Sequence, residues 1–129
     1  MSRAALLIVA IFVLTGCSDE AADMPDLGQV HGVVTLDSKP LPNVTVYFKP
    51  ETGRPSLGKT DGSGNYVAKY RIDKEGVKVG PNKVHLEWGI DDSGPPIPPK
   101  FGNKSELTLE VKPGDNEFNI AAVSAASKK

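Results

Sequence analysis

The feature that most constrains the fold is an alternation of apolar and polar residues in a chain rich in turn-forming residues. Val44, Val46 and Phe48 fall on one face of an extended segment, and Thr45 and Tyr47 fall on the other. A period of two is typical of a half-buried β-strand. The chain of 129 residues contains 13 Gly and 11 Pro, and no long segment has a helical period. The sequence therefore predicts short strands joined by turns.

The same alternation recurs at intervals of about ten residues, which is the spacing of strands in a small sandwich. Residues 29–36, 65–71, 83–88 and 106–112 each show it, and Gly, Pro, Asn and Asp separate them. We therefore predict an all-β fold, an antiparallel sandwich of about seven strands, over residues 29–121.

The first 16 residues have the pattern of a signal peptide. Arg3 provides a positive start, and an apolar run of about eleven residues follows, which is too short to span a bilayer as a helix. The run ends in Leu-Thr-Gly-Cys at residues 14–17, which resembles the lipobox of bacterial lipoproteins. This resemblance implies cleavage after Gly16, attachment of diacylglycerol to Cys17, and acylation of the new amino terminus by a palmitate-type chain. The alternative is an ordinary signal peptide with a chance cysteine, or an uncleaved apolar anchor.

The predicted organisation is a signal peptide (1–16), a lipidated Cys17 on an acidic tether (17–28), the sandwich (29–121) and a disordered tail (122–129). Cys17 is the single cysteine, so the chain has no intramolecular disulfide. Ser18 after the cysteine points, by resemblance to enterobacterial sorting, to the outer membrane, facing the periplasm or the exterior. The nearly balanced charge, 15 Lys and Arg against 16 Asp and Glu, gives no basic face for nucleic acid.

Several motifs indicate a family. The segments Gly32–Val34, Lys39–Phe48, Lys59–Tyr66 and Gly80–Val84 resemble the G-x-V, P-L-x-G-A-x-V, T-D-x-x-G-x-Y and G-x-Y-x-V motifs of carboxypeptidase regulatory-like domains. The resemblance implies a prealbumin-like (transthyretin-like) sandwich, which has an Ig-like architecture. Residues 98–116 are similar to segments of small lipoproteins of planctomycete-type bacteria.

Asp61, Ser63 and Asn65 place oxygen atoms at alternating positions, as at the start of a calcium-binding loop. An EF-hand needs Gly where Tyr66 stands and Glu where Ile72 stands, and this chain has neither. We therefore expect a hairpin turn in which Asp61 accepts hydrogen bonds from backbone amides.

His31 and His85 both fall on the polar phase of their strands, and their rings would meet if those strands were neighbours. Two histidines without a third ligand make a poor metal site. No Ser/His/Asp constellation, G-x-S-x-G or H-E-x-x-H occurs. We therefore predict no cofactor, no metal and no enzymatic activity, and we expect both histidines at the surface.

Tyr47, Tyr70 and Trp88 are candidates for a sugar-stacking platform. Trp88 shares the apolar phase of its strand and is expected in the core, so Tyr47 is the better candidate ligand contact. The run Pro95–Pro99 either docks a partner as polyproline II or, as we favour, is a stiff loop that protects a sheet edge.

The expected role is that of a lipid-anchored lipoprotein of the cell envelope whose non-catalytic module gives structural support or binds a protein. The alternative is a carbohydrate-binding module at the envelope. In either case, the expected contacts are the membrane, through the N-terminal lipid, and an envelope protein or glycan.

Overall fold

A computed structural model describes residues 24–124 of the chain. The predicted signal peptide, Cys17 and the first part of the tether lie outside the described residues, as does the end of the tail from residue 125. Between residues 24 and 124 there is no helix, and hence none long and apolar enough to cross a membrane.

The described chain folds into twelve short strands. They are β1 (Leu27–Leu36), β2 (Lys39–Pro40), β3 (Val44–Pro50), β4 (Ser56–Lys59), β5 (Asn65–Val67), β6 (Lys69–Arg71), β7 (Lys74–Glu75), β8 (Val77–Lys78), β9 (Gly80–Trp88), β10 (Leu107–Val111), β11 (Gly114–Glu117) and β12 (Ile120–Ala122). The predicted all-β sandwich is confirmed. There are more strands than the expected seven because two-residue pairings form beside the turns, and because the chain breaks into separate pairings where it crosses between sheets.

The strands form two sheets of six. In the first sheet β1 is central, with β2, β5 and β8 along one edge and β11 and β12 along the other. The second sheet has the order β10-β9-β3-β4-β6-β7 and is antiparallel throughout.

Two pairings depart from the antiparallel arrangement that the sequence predicted. Both β11 and β12 run parallel to β1. The reason is topological: Val111 at the end of β10 pairs with Gly80, and Val79 next to it donates a backbone hydrogen bond to Asp26 at the start of β1. The chain therefore crosses to the first sheet at the end where β1 begins, and it then continues in the direction of β1.

The core lies between the sheets and is built from the alternating apolar faces. The predicted inward residues Val44, Val46 and Phe48 are fully buried, and Trp88 is partly buried against the same cluster. The other buried members are Val30, Val34, Leu41, Tyr66, Ala68, Val77, Val84, Leu86, Val111 and Ile120. The apolar surface removed from water by this cluster is the main driving force for folding.

The predicted turn after β4 is held by two hydrogen bonds of one buried side chain. The buried Thr60 hydroxyl accepts a hydrogen bond from the Val44 amide at 3.0 Å and donates one to the Leu41 carbonyl at 2.7 Å. Gly64 has a φ of 81°, which favours glycine, as the turn sequence predicts. These contacts fix where the chain leaves the second sheet and enters the first.

Candidate functional site

The two histidines lie in different sheets, so the structure does not bring their rings together. His31 is on β1, and its Nε2 lies 3.0 Å from Oδ2 of Asp115 on β11. The hydrogen bond to the Asp115 carboxylate raises the pKa of His31 above its ordinary value. His31 and Asp115 are both exposed enough for this pair to be a surface contact.

His85 lies on the outer face of the second sheet, where it stacks on Tyr47 of the neighbouring strand. The ring centroids are 4.7 Å apart and the planes are within 3° of parallel. Partial burial lowers the pKa of His85, with a further contribution from the positive charge of Lys49. Burial raises the pKa of Tyr47, and the Glu87 carboxylate adds to this effect. At neutral pH both rings are therefore uncharged.

Tyr47, the candidate ligand contact, uses one ring face for this stacking, so at most one face remains for a sugar ring. Leu57 occupies the next cross-strand position on its other side. Beside the stacked pair is a polar pocket of about 540 Å³, whose walls include Lys49, Lys83 and Glu87.

Trp88 and the Pro-rich run contact each other. The Trp88 indole Nε1 donates a hydrogen bond to the Pro95 carbonyl at 3.1 Å. The Phe101 carbonyl accepts a hydrogen bond from the Leu86 amide at 2.7 Å, beyond the pairing of Val84 with Leu107, where β10 begins. The connection from β9 to β10 therefore covers the edge of β9, as the stiff-loop interpretation predicts.

The predicted hairpin at Asp61 is present. Its Oδ1 accepts hydrogen bonds from the amides of Ser63 and Asn65, each at 2.9 Å. Among residues 24–124, no three His, Cys, Asp or Glu side chains are grouped so that they could hold a metal ion.

A groove of about 900 Å³ lies where the two sheets meet at one edge of the sandwich. We call it the open-edge groove. It runs from Arg54 and β4 on one side to β5 and β6 on the other, and its lining includes Arg54, Leu57, Lys59, Val67, Lys69, Tyr70, Arg71 and Ile72. The exposed apolar side chains Leu57, Val67 and Ile72 are concentrated here.

Close contact between the sheets forms the floor of this groove. A Cβ atom on Gly58 of β4 would lie 2.7 Å from the Val67 carbonyl oxygen on β5, so only glycine allows this approach. β4 pairs with β6 at a single position, Leu57 with Lys69. The second half of β4 therefore has no neighbouring strand on the groove side among the described residues.

The register shows which backbone groups face the groove. On either side of β5, the Ala68 amide donates a hydrogen bond to the Val30 carbonyl of β1, and the Gly64 carbonyl accepts one from the Val34 amide. Because hydrogen-bonding groups alternate in direction along a strand, Val67, next to Ala68, directs its N–H and C=O away from β1. Directly after β4, the Thr60 amide donates a hydrogen bond to the Val44 carbonyl of β3. By the same alternation, Lys59 directs its N–H and C=O away from β3. The Val67 carbonyl oxygen lies against Gly58 of β4, so the groups left without a partner strand are the N–H and C=O of Lys59 and the N–H of Val67.

Charged side chains surround this apolar floor. The Arg54 guanidinium lies 5.7 Å from the centroid of the Tyr70 ring, a cation–π distance. Lys59 forms an ion pair with Asp92 at 2.9 Å. The sequence alone indicates Tyr70 only as part of a sugar-stacking platform and does not reveal the groove, because the walls of the groove come from both sheets. Cys17 and Gly16, the predicted lipidation and cleavage positions, lie outside the described residues.

Comparisons with known proteins give the fold and no family. No family model matches the sequence, and no curated protein matches it. Among solved structures, the chain is similar to the crystal structure of a DUF3823 family protein from Parabacteroides merdae ATCC 43184, with a TM-score of 0.51 and 18% identity. The match covers 76% of this chain but 46% of that one, so this chain spans less than half the length of that protein. At this identity the likeness supports the β-sandwich fold alone.

Proposed function

We propose that this chain is a non-catalytic module of the bacterial cell envelope that binds a protein partner through the open-edge groove. The observation that carries the proposal is the combination, in that one groove, of exposed apolar side chains with backbone groups of Lys59 and a Val67 N–H that have no partner strand. An exposed strand edge is a template for pairing with another chain. Contiguous exposed apolar surface marks interaction sites on soluble domains.

The proposal includes a lipid anchor on Cys17, which the lipobox resemblance supports. β1 begins at Leu27, so about nine residues separate Cys17 from the sandwich and give a reach of roughly 30 Å when extended. A lipid anchor restricts the module to two dimensions and raises its effective concentration near partners in the same membrane. The proposed location is the outer membrane, with the domain facing the periplasm or the exterior.

Membership of the carboxypeptidase regulatory-like domains is also a proposal. The β-sandwich fold and the turn at Asp61–Gly64 are compatible with it. The proposed role needs no reacting group. His31 and His85, the histidines a catalytic role would use, are in separate sheets.

Site-specific photo-crosslinking in intact cells tests the groove. A photoreactive benzoylphenylalanine replaces Val67 in one strain and Val123 in another. These two valines are 43% and 48% exposed, and Val123 does not line the groove. We expect a discrete protein adduct from position 67 that position 123 does not give. The same adducts from both positions, or none from either, would contradict the proposal.

The anchor has a separate test. Cys17→Ser removes the acceptor of the diacylglycerol, so the mature protein is expected to leave the membrane fraction and to lose its lipid mass in mass spectrometry. A Cys17→Ser protein that remains fully membrane-bound would show that another feature anchors the chain.

A second candidate function is glycan binding beside Tyr47. The specific observation is that the polar pocket carrying Lys49, Lys83 and Glu87 adjoins the Tyr47–His85 stack. Retention on envelope polysaccharide that is lost in Tyr47→Ala would favour this candidate, whereas a lack of retention on any polysaccharide would remove it.

A further inference from the structure

We infer that the segment bound in the open-edge groove is an extended, acidic stretch of the partner protein in which acidic and apolar residues alternate. This inference rests on the proposed function and specifies the chemistry of the partner.

The charge of the lining favours an acidic ligand. Four cationic residues, Arg54, Lys59, Lys69 and Arg71, line the groove with two acidic ones. One of the acidic residues, Asp61, already accepts two backbone hydrogen bonds, and Lys59 is paired with Asp92 outside the groove.

With Lys59 paired, the remaining charges of the lining are three cations and the two carboxylates of Asp61 and Glu75. Within residues 24–124, Arg54, Lys69 and Arg71 form no ion pair. The chain as a whole has a formal charge of −1, so the groove is a locally positive surface on a slightly acidic protein. Opposite charge at such a surface speeds association and selects against basic partners.

Arg54 is the best-placed group for a carboxylate. The Tyr70 ring lies against its guanidinium at 5.7 Å, which restrains the long side chain before a ligand arrives. A guanidinium stacked by its face keeps its N–H edges free, and those edges match a carboxylate in a two-point hydrogen bond. The restraint also lowers the side-chain entropy that binding would otherwise cost.

The backbone edges favour an extended ligand. Antiparallel pairing leaves open the N–H and C=O of Lys59 in one sheet and the N–H of Val67 in the other, and these groups face the groove. An extended segment bonds to such groups through its own backbone, whatever its side chains are. Only a few groups are open, so side chains must supply much of the specificity.

The apolar floor sets the pattern of the ligand. Leu57 and Val67 are each 43% exposed, and Ile72 is almost fully exposed. Successive side chains of an extended segment point to opposite sides. A segment whose alternate residues are apolar would therefore cover this floor, while its acidic residues would lie toward Arg54, Lys69 and Arg71.

The chain's own acidic tether is the competing occupant. It contains Asp19, Glu20 and Asp23, and it joins the sandwich at Leu27, which lies against Gly76 next to Glu75 of the groove. Among its acidic residues, however, it offers only Ala21, Ala22 and Met24, and a single large apolar side chain cannot cover the floor as an alternating apolar segment would. A partner segment therefore fits the groove better.

The test is fluorescence anisotropy with the full mature lipoprotein in uncharged detergent, with empty micelles as the blank. The probe is a fluorescein-labelled heptapeptide of alternating Val and Glu, and the comparison probe carries Lys in place of Glu. We expect the acidic probe to bind at least tenfold more tightly than the basic one. The double variant Lys69→Glu/Arg71→Glu is expected to reverse that preference. The matched control Lys104→Glu/Lys112→Glu, outside the groove, is expected to leave it unchanged.

Equal binding of the two probes, or no binding of the acidic probe, would overturn the inference. So would an acidic-probe affinity that rises more than tenfold in the tether variant Asp19→Asn/Glu20→Gln/Asp23→Asn, because the tether would then be the occupant. The proposed function fails separately, through loss of the specific adduct at position 67. If that adduct persists in Lys69→Glu/Arg71→Glu, a protein docks in the groove but its segment is not acidic.

Discussion

Two strands of the second sheet extend beyond their neighbours, and they differ in whether another segment bonds to the exposed edge. β9 continues past the residue where β10 begins, and the Pro-rich connection covers the exposed part through the bonds from Leu86 to Phe101 and from Trp88 to Pro95. β4 continues past its single pairing with β6, and among the described residues no strand pairs with the groove side of Lys59, although its side chain forms an ion pair with Asp92. This sandwich therefore seals one overhanging strand and leaves the other open.

The difference indicates that the open edge is not a general weakness of the fold. A strand edge invites pairing with other chains, and proteins usually cover or charge it. Here the charges have one predominant sign. Because every copy carries the same cations, pairing of two grooves is disfavoured, while pairing with an acidic segment is favoured. On the proposed function, Arg54, Lys69 and Arg71 disfavour pairing of two copies and favour an acidic partner segment.

The largest expected contrast is in the free energy of unfolding lost when a side chain is truncated at each of the two edges. Trp88→Ala removes a partly buried indole and its hydrogen bond to Pro95, so we expect it to lower the free energy of unfolding by about 3 kcal/mol. Ile72→Ala in the open-edge groove removes a side chain already in water, and we expect a change within about 0.5 kcal/mol. Urea unfolding measures both. Equal losses would mean that the two edges are not different in kind.

Glycine substitutions give a smaller contrast. A Cβ atom on Gly94, in the connection from β9 to β10, would lie 2.4 Å from the Trp88 ring. Gly94→Ala must therefore displace this connection, and we expect it to lower the free energy of unfolding by about 1 kcal/mol. Gly62, in the exposed turn beside the groove, has open space at the same position. Gly62→Ala serves as the control and should be nearly neutral in thermal unfolding. A neutral Gly94→Ala would show that this connection is not packed on Trp88.

The smallest expected effect is a pH dependence of opposite sign on the two sides. His85 borders the pocket beside the connection from β9 to β10, and burial holds its pKa below the ordinary 6.5. The unfolded chain therefore takes up the proton first, and the stability due to neutral His85 is lost as pH falls below about 6.5. His31 stands opposite Val67, and its raised pKa gives stability that is present below pH 6.5 and lost as pH rises through the folded-state pKa.

Two variants separate these contributions. His85→Gln is expected to reduce the loss of stability toward pH 5, and His31→Gln the loss toward pH 8. Urea midpoints at the two pH values measure this. A His85→Gln variant with an unchanged acid-side slope would show that burial does not hold that ring neutral.

Much of the fold was predictable because it is set by local pattern. The alternation at Val44–Phe48 places its members correctly, since one face of a strand must be buried. The Asp61 turn and the inward position of Trp88 follow from local chemistry in the same way. The stiffness of the Pro-rich run also predicted its use at a sheet edge.

The open-edge groove was not predictable, because it depends on which sheet each strand joins. Leu57 and Val67 are ten residues apart and belong to opposite sheets. Their alternation alone does not show that a crossing lies between them. The parallel pairing of β11 with β1 has the same origin, since strand direction follows from where the chain crosses. The exposure of Ile72 is a tertiary property with no local signal.

Backbone amide hydrogen exchange, followed by NMR, tests the difference between the two edges most directly. The Leu86 amide donates a hydrogen bond to Phe101 and is expected to exchange only when the sandwich opens, whereas the Lys59 and Val67 amides face the groove without a strand partner. We expect the Lys59 and Val67 amides to exchange at least about a hundredfold faster than the Leu86 amide. Equal protection of all three amides would contradict this expectation.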